Sequence, residues 1–114
     1  TARANVLACL TAAAGRAAHL AGALAANTTL PVIGIPCKGG AMDGLDALLS
    51  TVMMPSGIPV ATVALNGAVN AALLAAEIIS VEDEEVAIKL NARRTADAQK
   101  VLEKDANLKE QLNK

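Results

Sequence analysis

The chain alternates between short, continuously apolar runs and segments with helical spacing. Continuous apolar runs bounded by glycine and proline predict strands that are buried on both faces of a sheet. Three such runs are present, at residues 6–13, 31–36 and 60–65. The segments between them predict helices at 19–27 and 45–54, the second of which ends before Pro55. This order indicates an α/β fold with a parallel sheet between helices.

A longer helical tract follows the third predicted strand. Residues 68–79 are apolar on nearly every side, which predicts a helix buried on several faces. A second helix is predicted to begin at Ser80, because Ser80 suits the N-cap position and Asp83 follows three residues later. We therefore expect an α/β domain over 1–80 and a C-terminal helical extension over 81–114.

Two features of these elements leave alternatives. Residues 60–79 have the length of a membrane span, but Asn66, Asn70 and Glu77 interrupt them, so a strand, turn and helix is favoured. A parallel sheet of only three strands is also unusually small for a complete domain. Either neighbouring chains complete it, or strands that precede Thr1 in a longer protein are missing from this sequence.

The composition narrows the classes of partner. Hydrophobic residues make up 54% of the 114 residues, yet there is no Phe, Tyr or Trp. The chain thus has no aromatic side chain on which nucleic-acid bases could stack. Its formal net charge of −1 gives no attraction for nucleic acids or anionic membranes. A nucleic-acid or membrane partner is therefore not expected.

The cysteines and the single histidine are the candidates for thiol or metal chemistry. Cys9 and Cys37 lack the close spacing of a metal-binding pair, so we expect two reduced thiols in a cytoplasmic protein. A disulfide between them is one alternative. A metal site with His19 is another, although no fourth ligand stands at a familiar spacing.

The ligand site of such a fold is expected beyond the carboxyl ends of the strands. The segments at that position are 14–20, 37–44 and 65–70, and each contains glycine. Gly15 either lets the backbone approach an anionic ligand at a helix start or simply makes the turn. His19, taken alone, is more typical of a structural residue on an alanine-rich helix.

Several consecutive motifs resemble the PurE family of purine biosynthesis. They are "AGRAAHLAG" (14–22), "LPVIGIP" (30–36), "GLDALLSTVMMPSGIPVATVAL" (44–65) and "NAALLAAEI" (70–78). They stand in the family's order and with its spacing over residues 14–79. This succession is far more specific than a single glycine motif.

The resemblance implies a three-layer αβα flavodoxin-like fold, a homo-octamer and a cytoplasmic enzyme without metal or cofactor. It implies interconversion of N5-carboxyaminoimidazole ribonucleotide and 4-carboxy-5-aminoimidazole ribonucleotide by carboxyl transfer through bound carbon dioxide. The "AAHL" segment resembles the mutase class, whereas Arg16 is similar to the loop of the class that carboxylates aminoimidazole ribonucleotide directly. We expect the mutase.

The resemblance also assigns site residues. His19 is expected beside the pocket as a secondary proton contact, and Met54 and Pro55 border the pocket across a subunit boundary. Ala21 and Met53 depart from the proline and glutamine usual in the family. The expected substrate-binding residues are Ala14, Gly15, Arg16, Ala17, Leu20, Met54 and Pro55.

Two family motifs are not found in the 114 residues. They are a glycine- and serine-rich phosphate loop and a Ser-Ala-His-Arg segment whose histidine is the family's principal proton shuttle. We therefore expect this chain to match the C-terminal two thirds of the enzyme, to lack the first strands of the sheet and to be inactive alone. The alternative is a catalytically inactive fragment or interaction module that keeps the fold without the chemistry.

Overall fold

The computed structural model describes residues 9–15, 19–39 and 43–114. Its three parallel strands, β1 (Leu10–Gly15), β2 (Val32–Cys37) and β3 (Ala61–Thr62), form one sheet in the order β1-β2-β3. The described residues also form the helices α1 (Leu20–Ala26), α2 (Leu45–Val52), α3 (Ala68–Ser80) and α4 (Glu84–Leu112). The predicted alternation of strands and helices is confirmed.

Strand β2 is the middle strand of the sheet and lies at the centre of the core. Its successive side chains point to opposite faces of the sheet. Val32 packs with Ala12 and Ala21 on the face that α1 covers. Ile33, fully buried, packs on the other face with Ala71 of α3. Helices thus cover both faces of the parallel sheet, which confirms the three-layer α/β architecture.

Gly34 brings α2 onto the same face as α1. A Cβ atom at this position would overlap Thr51 Cγ2 and would lie 3.0 Å from Val60 Cγ1 and 3.3 Å from Ala21 Cβ. Thr51 is itself buried, and its hydroxyl donates to the carbonyl of Ala47 at 2.8 Å. The absence of a side chain at Gly34 therefore sets how closely both helices approach the sheet.

All three strands differ from their predicted bounds, β2 by a shift of only one residue. β1 continues through Gly15, which pairs with Cys37, so the break expected after residue 13 was wrong. The predicted part at 6–8 lies outside the described residues. β3 is limited to two residues of the predicted 60–65, although Val63 N–H still donates to Gly34 O at 3.1 Å.

The helices also correct three expectations. α2 ends at Val52, so Met54 lies outside it. In α3, Ala71 is buried while Val69 is 63% exposed, so burial on several faces was wrong for the single chain. Ser80 is the last residue of α3 rather than an N-cap. Asp83 caps α4 instead: its carboxylate accepts the N–H of Val86 at 3.1 Å.

The contacts divide the chain into one unit that ends at Ile78 and a second that covers Ile79–Lys114. In the second unit, α4 has no buried residue. Exposed ion pairs one turn apart run along it, including Lys89–Glu85 at 3.7 Å and Lys109–Asp105 at 2.8 Å. Such pairs support a solvated helix by about 0.3–0.5 kcal/mol each.

The candidate membrane span at 60–79 consists of β3, a turn and α3, as the polar residues within it predict. None of the helices in the described ranges combines the length and the apolarity that crossing a bilayer requires.

Candidate functional site

The carboxyl ends of β1 and β2 lie side by side. Gly15 and Cys37, the last residues of the two strands, are partners in the parallel register. A Cβ atom at Gly15 would lie 3.7 Å from the carbonyl oxygen of Cys37, which is ordinary van der Waals contact. Ala14 and Gly15 are half-buried. A ligand at this edge would meet main-chain atoms of β1 rather than bulky side chains.

Asn66 ties the loop after β3 to the end of β2. Its N–H donates to the carbonyl of Pro36 at 2.8 Å, and its Oδ1 accepts the N–H of Lys38 at 3.0 Å. The residue has a φ of 57°, in the left-handed region that asparagine tolerates better than most residues. From the sequence, Asn66 was expected only to interrupt a membrane span and to lie in the segment 65–70. Its bridging role was not predicted, although an Asn-Gly pair after a predicted strand is a turn signal that could have indicated it.

The start of α2 forms the third part of this edge. Asp43 and Gly44 have φ values of 53° and 98°, and a Cβ atom at Gly44 would lie only 2.8 Å from Leu65 Cδ2. The loops after β2 and β3 are therefore packed tightly against each other. In the first turn of α2, Asp46 Oδ1 is buried and has no hydrogen-bond partner among the described residues, which is unusual for a carboxylate oxygen.

His19 and Leu20 stand where α1 begins. His19 occupies the N-cap position, and its carbonyl accepts the N–H of Ala23 at 2.8 Å, but its side chain makes no capping hydrogen bond. The imidazole is exposed and Leu20 is 49% exposed. Because neither side chain is buried in the core, both are accessible to a ligand near the connection from β1 to α1.

Of the other predicted site residues, two are not described and two lie elsewhere in the structure. Arg16 and Ala17 lie outside the described residues. Met54 is half-buried against α1, with its Sδ 3.3 Å from the position of a Cβ on Gly22. Pro55 is exposed and begins a turn in which its carbonyl accepts the N–H of Ile58 at 3.2 Å.

Met54 and Pro55 therefore occupy a different place from the end of β1. They follow α2, which starts at the carboxyl edge of the sheet and runs back along it, as the helix of a parallel crossover must. Within one chain the structure brings Ala14 and Gly15 together at the end of β1 and places His19 and Leu20 at the start of α1. It places the two residues after α2 on the helical layer instead.

A cleft of about 480 Å³ lies at the opposite, amino edge of the sheet. It is lined mainly by apolar side chains and prolines, including Leu30 and Pro59. Its Thr28 hydroxyl already accepts the N–H of Leu30 at 3.1 Å. The cleft thus lies away from the carboxyl ends of the strands, where parallel folds bind ligands, and no titratable side chain is among the described residues that line it.

The thiols and acidic groups of the described residues do not assemble a metal centre. Cys9 and Cys37 are free thiols, so the alternative of a disulfide is not realised in this structure. Within the ranges that the structure describes, no three His, Cys, Asp or Glu side chains come close enough to share a metal ion.

Comparison with known proteins gives a consistent result. Residues 1–100 match the model of the AIR carboxylase family. The chain is 53% identical over 110 residues to the N5-carboxyaminoimidazole ribonucleotide mutase of Bacillus subtilis strain 168, which covers 95% of this chain and 68% of that protein. It is 55% identical over 85 residues to the phosphoribosylaminoimidazole carboxylase of Candida albicans, covering 75% of this chain and 15% of that protein.

The same likeness extends to three-dimensional structure. The crystal structure of Treponema denticola PurE superposes with a TM-score of 0.79 at 35% identity, over 88% of this chain and 61% of that one. The flavodoxin-like fold is therefore confirmed. The chain spans about two thirds or less of the length of these relatives.

Proposed function

This chain belongs to the AIR carboxylase family, and we propose on that premise that it serves purine biosynthesis as an N5-carboxyaminoimidazole ribonucleotide mutase. The proposed reaction interconverts this compound and 4-carboxy-5-aminoimidazole ribonucleotide. The observation that carries the proposal is the 53% identity to the Bacillus subtilis mutase over 95% of the chain. The exposed His19 and the open strand end at Gly15 are compatible with it.

The reaction needs only proton transfers and a closed pocket. Protonation of the exocyclic nitrogen breaks its bond to the carboxyl group and releases carbon dioxide beside the ring. Ring carbon C4 then attacks carbon dioxide, the new C–C bond forms, and the proton on C4 leaves to restore the aromatic ring. One proton is taken up and one is released, so a single acid–base group can serve both steps. A pocket that excludes water keeps the carbon dioxide from escaping.

The residues of this chain supply the walls of the pocket in this proposal. The backbone of Ala14, Gly15, Arg16 and Ala17 faces the substrate, and Leu20 forms an apolar wall against the ring and carbon dioxide. His19 makes a secondary proton contact and positions the loop. The exposure of His19 and Leu20 supports these roles, since side chains already buried in the core could not meet a substrate.

Met54 and Pro55 complete the pocket of a neighbouring subunit in a homo-octamer. Their position after α2, away from the end of β1, supports a contribution across a subunit boundary rather than within one chain. In the same proposal, 1–80 carries the site and 81–114 forms a helical extension. The two free thiols support a cytoplasmic location, where cysteines stay reduced.

A second candidate activity is direct carboxylation of aminoimidazole ribonucleotide. The similarity to the Candida albicans carboxylase supports it, because that protein's name describes this reaction. The alternative of an inactive fragment or interaction module is not favoured by relatives that are named as enzymes.

A substrate comparison distinguishes these activities. The protein is expressed from its own gene. It is given either N5-carboxyaminoimidazole ribonucleotide without bicarbonate or aminoimidazole ribonucleotide with bicarbonate. Formation of the product is followed by its ultraviolet absorbance. A mutase converts the first substrate faster, whereas a direct carboxylase needs the second pair.

A further inference from the structure

Helix α4 carries a regular seam that no buried contact uses. Along residues 91–112 the seam positions recur at alternating intervals of three and four residues, the heptad spacing that keeps side chains on one line of a helix. We call this line the α4 seam. Its members are Asn91, Arg94, Ala98, Val101, Asp105, Leu108 and Leu112.

The α4 seam is exposed along its whole length. Val101 is 65% exposed, Leu108 54% and Leu112 76%. Arg94, Ala98 and Asp105 are exposed as well, and α4 has no buried residue. Three large apolar side chains on the line of a seam favour burial against another helix, since each would lose apolar surface to water there.

The charges in the α4 seam define which helix fits. Arg94 and Asp105 are eleven residues apart, which is about three helical turns, so both point along the same line roughly 16 Å apart. In a parallel pair of α4 helices, Arg94 would face Arg94 and Asp105 would face Asp105, which is repulsive. In an antiparallel pair, Arg94 of each copy faces Asp105 of the other.

The antiparallel register that joins these charges also aligns the rest of the seam. It places Ala98 opposite Val101 and Asn91 opposite Leu108 of the second copy, so that a small side chain meets a large one at the centre. The interface is its own complement, as a two-fold contact requires. Within its own helix, Asp105 Oδ2 also pairs with Lys109 Nζ at 2.8 Å.

We propose that the α4 seam is a docking surface for α4 of a second copy of this chain, in antiparallel orientation with Arg94 against Asp105. This surface is separate from the proposed substrate site and adds an interface to the protein, whatever reaction it catalyses. Because the pair depends on two exposed ion pairs, the association weakens as the salt concentration rises.

Charge exchange tests the orientation. In a pair of Arg94→Glu chains, the introduced glutamate of each copy faces Asp105 of the other, and in a pair of Asp105→Arg chains, Arg94 faces the introduced arginine. Both pairings are repulsive, so each variant alone is expected to self-associate at least about tenfold more weakly than the unmodified chain. A mixture of the two variants restores both opposite pairs and is expected to form a mixed complex. Arg93→Glu, which changes the same charge off the seam, is the matched control, and circular dichroism confirms that α4 stays helical.

Disulfide trapping gives an independent readout that other interfaces of the protein do not obscure. Asn91→Cys and Leu108→Cys are made separately in a background with Cys9→Ser and Cys37→Ser, then oxidised alone or mixed. The proposal predicts a mixed disulfide and little homodimer of either variant. A 91–91 disulfide, a preference of Arg94→Glu for the unmodified chain over Asp105→Arg, or equal association of all variants would overturn it.

Discussion

Gly34 of β2 and Thr51 of α2 approach so closely that a Cβ atom on residue 34 would overlap the Thr51 methyl group. The contact holds α2 against the centre of the sheet, and Ala21 of α1 lies at the same point. The positions of both helices, and of the loops that lead into them, therefore depend on one missing side chain.

Gly34→Ala is expected to lower the free energy of unfolding by about 1–3 kcal/mol, because an extra methyl group is forced into a packed core. Thermal unfolding measures the effect. Gly15→Ala serves as the control, since its Cβ meets only an ordinary contact at 3.7 Å. Adding Thr51→Ser to Gly34→Ala removes the overlapping methyl and keeps the hydroxyl, so it should recover part of the loss. No recovery would place the clash elsewhere.

Gly22 gives the matching test for α1. Gly22→Leu is expected to cost about 1–3 kcal/mol by overpacking against Met54, whose Sδ lies 3.3 Å from the Cβ position. Gly22→Ala should be close to neutral or stabilising, because a flexible methionine can shift and alanine favours the helix by about 1 kcal/mol. Equal melting temperatures for Gly22→Leu and the unmodified chain would contradict the placement of Met54.

Asn66 is expected to hold the carboxyl edge in place. Asn66→Ala loses the hydrogen bond to Lys38 N–H and puts a less tolerant residue in the left-handed region, for a loss of about 1–2 kcal/mol. Asn66→Asp keeps the acceptor and should lose less, and both are measured by urea unfolding. A loss in Asn66→Asp as large as that in Asn66→Ala would argue against the hydrogen bond as the cause.

Asp83 is expected to start α4. Asp83→Ala removes the acceptor for Val86 N–H and should destabilise the helix by about 1 kcal/mol, whereas Asp83→Asn retains a side-chain oxygen and should cost little. Hydrogen exchange at the first amides of α4 measures the difference. Protection that is unchanged in Asp83→Ala would show that another group caps the helix.

Strands β2 and β3 and the start of α4 show which parts of the fold can be predicted from the sequence and which cannot. β2 was predictable because a short run rich in branched residues between two prolines suits a strand buried on both faces. The capping residue was missed because Ser80 and Asp83 both suit an N-cap, and only the end of α3 at Ser80 decides between them. β3 is shorter than its apolar run because only Ala61 and Thr62 pair with β2.

The candidate site was predictable only in outline. The rule that parallel sheets bind ligands at the strand ends located the segments, and the motif resemblance supplied residue roles. Neither indicates that Asn66 accepts the N–H of Lys38, because this hydrogen bond joins residues distant in the sequence.

His19 is expected to assist the reaction rather than drive it. In the assembled enzyme, His19→Asn should lower kcat by about tenfold, less than the 10²–10⁴-fold typical of a principal acid–base residue. Because the side chain is exposed, the melting temperature should barely change. Steady-state kinetics with matched melting curves provides the test, and a kcat equal to that of the unmodified enzyme would remove His19 from the mechanism.

The most direct measurement is turnover of N5-carboxyaminoimidazole ribonucleotide, without added bicarbonate, by the protein made from its own reading frame. We expect steady formation of 4-carboxy-5-aminoimidazole ribonucleotide, faster than from aminoimidazole ribonucleotide with bicarbonate. If a folded, assembled protein forms no product from either substrate, the proposed function is wrong.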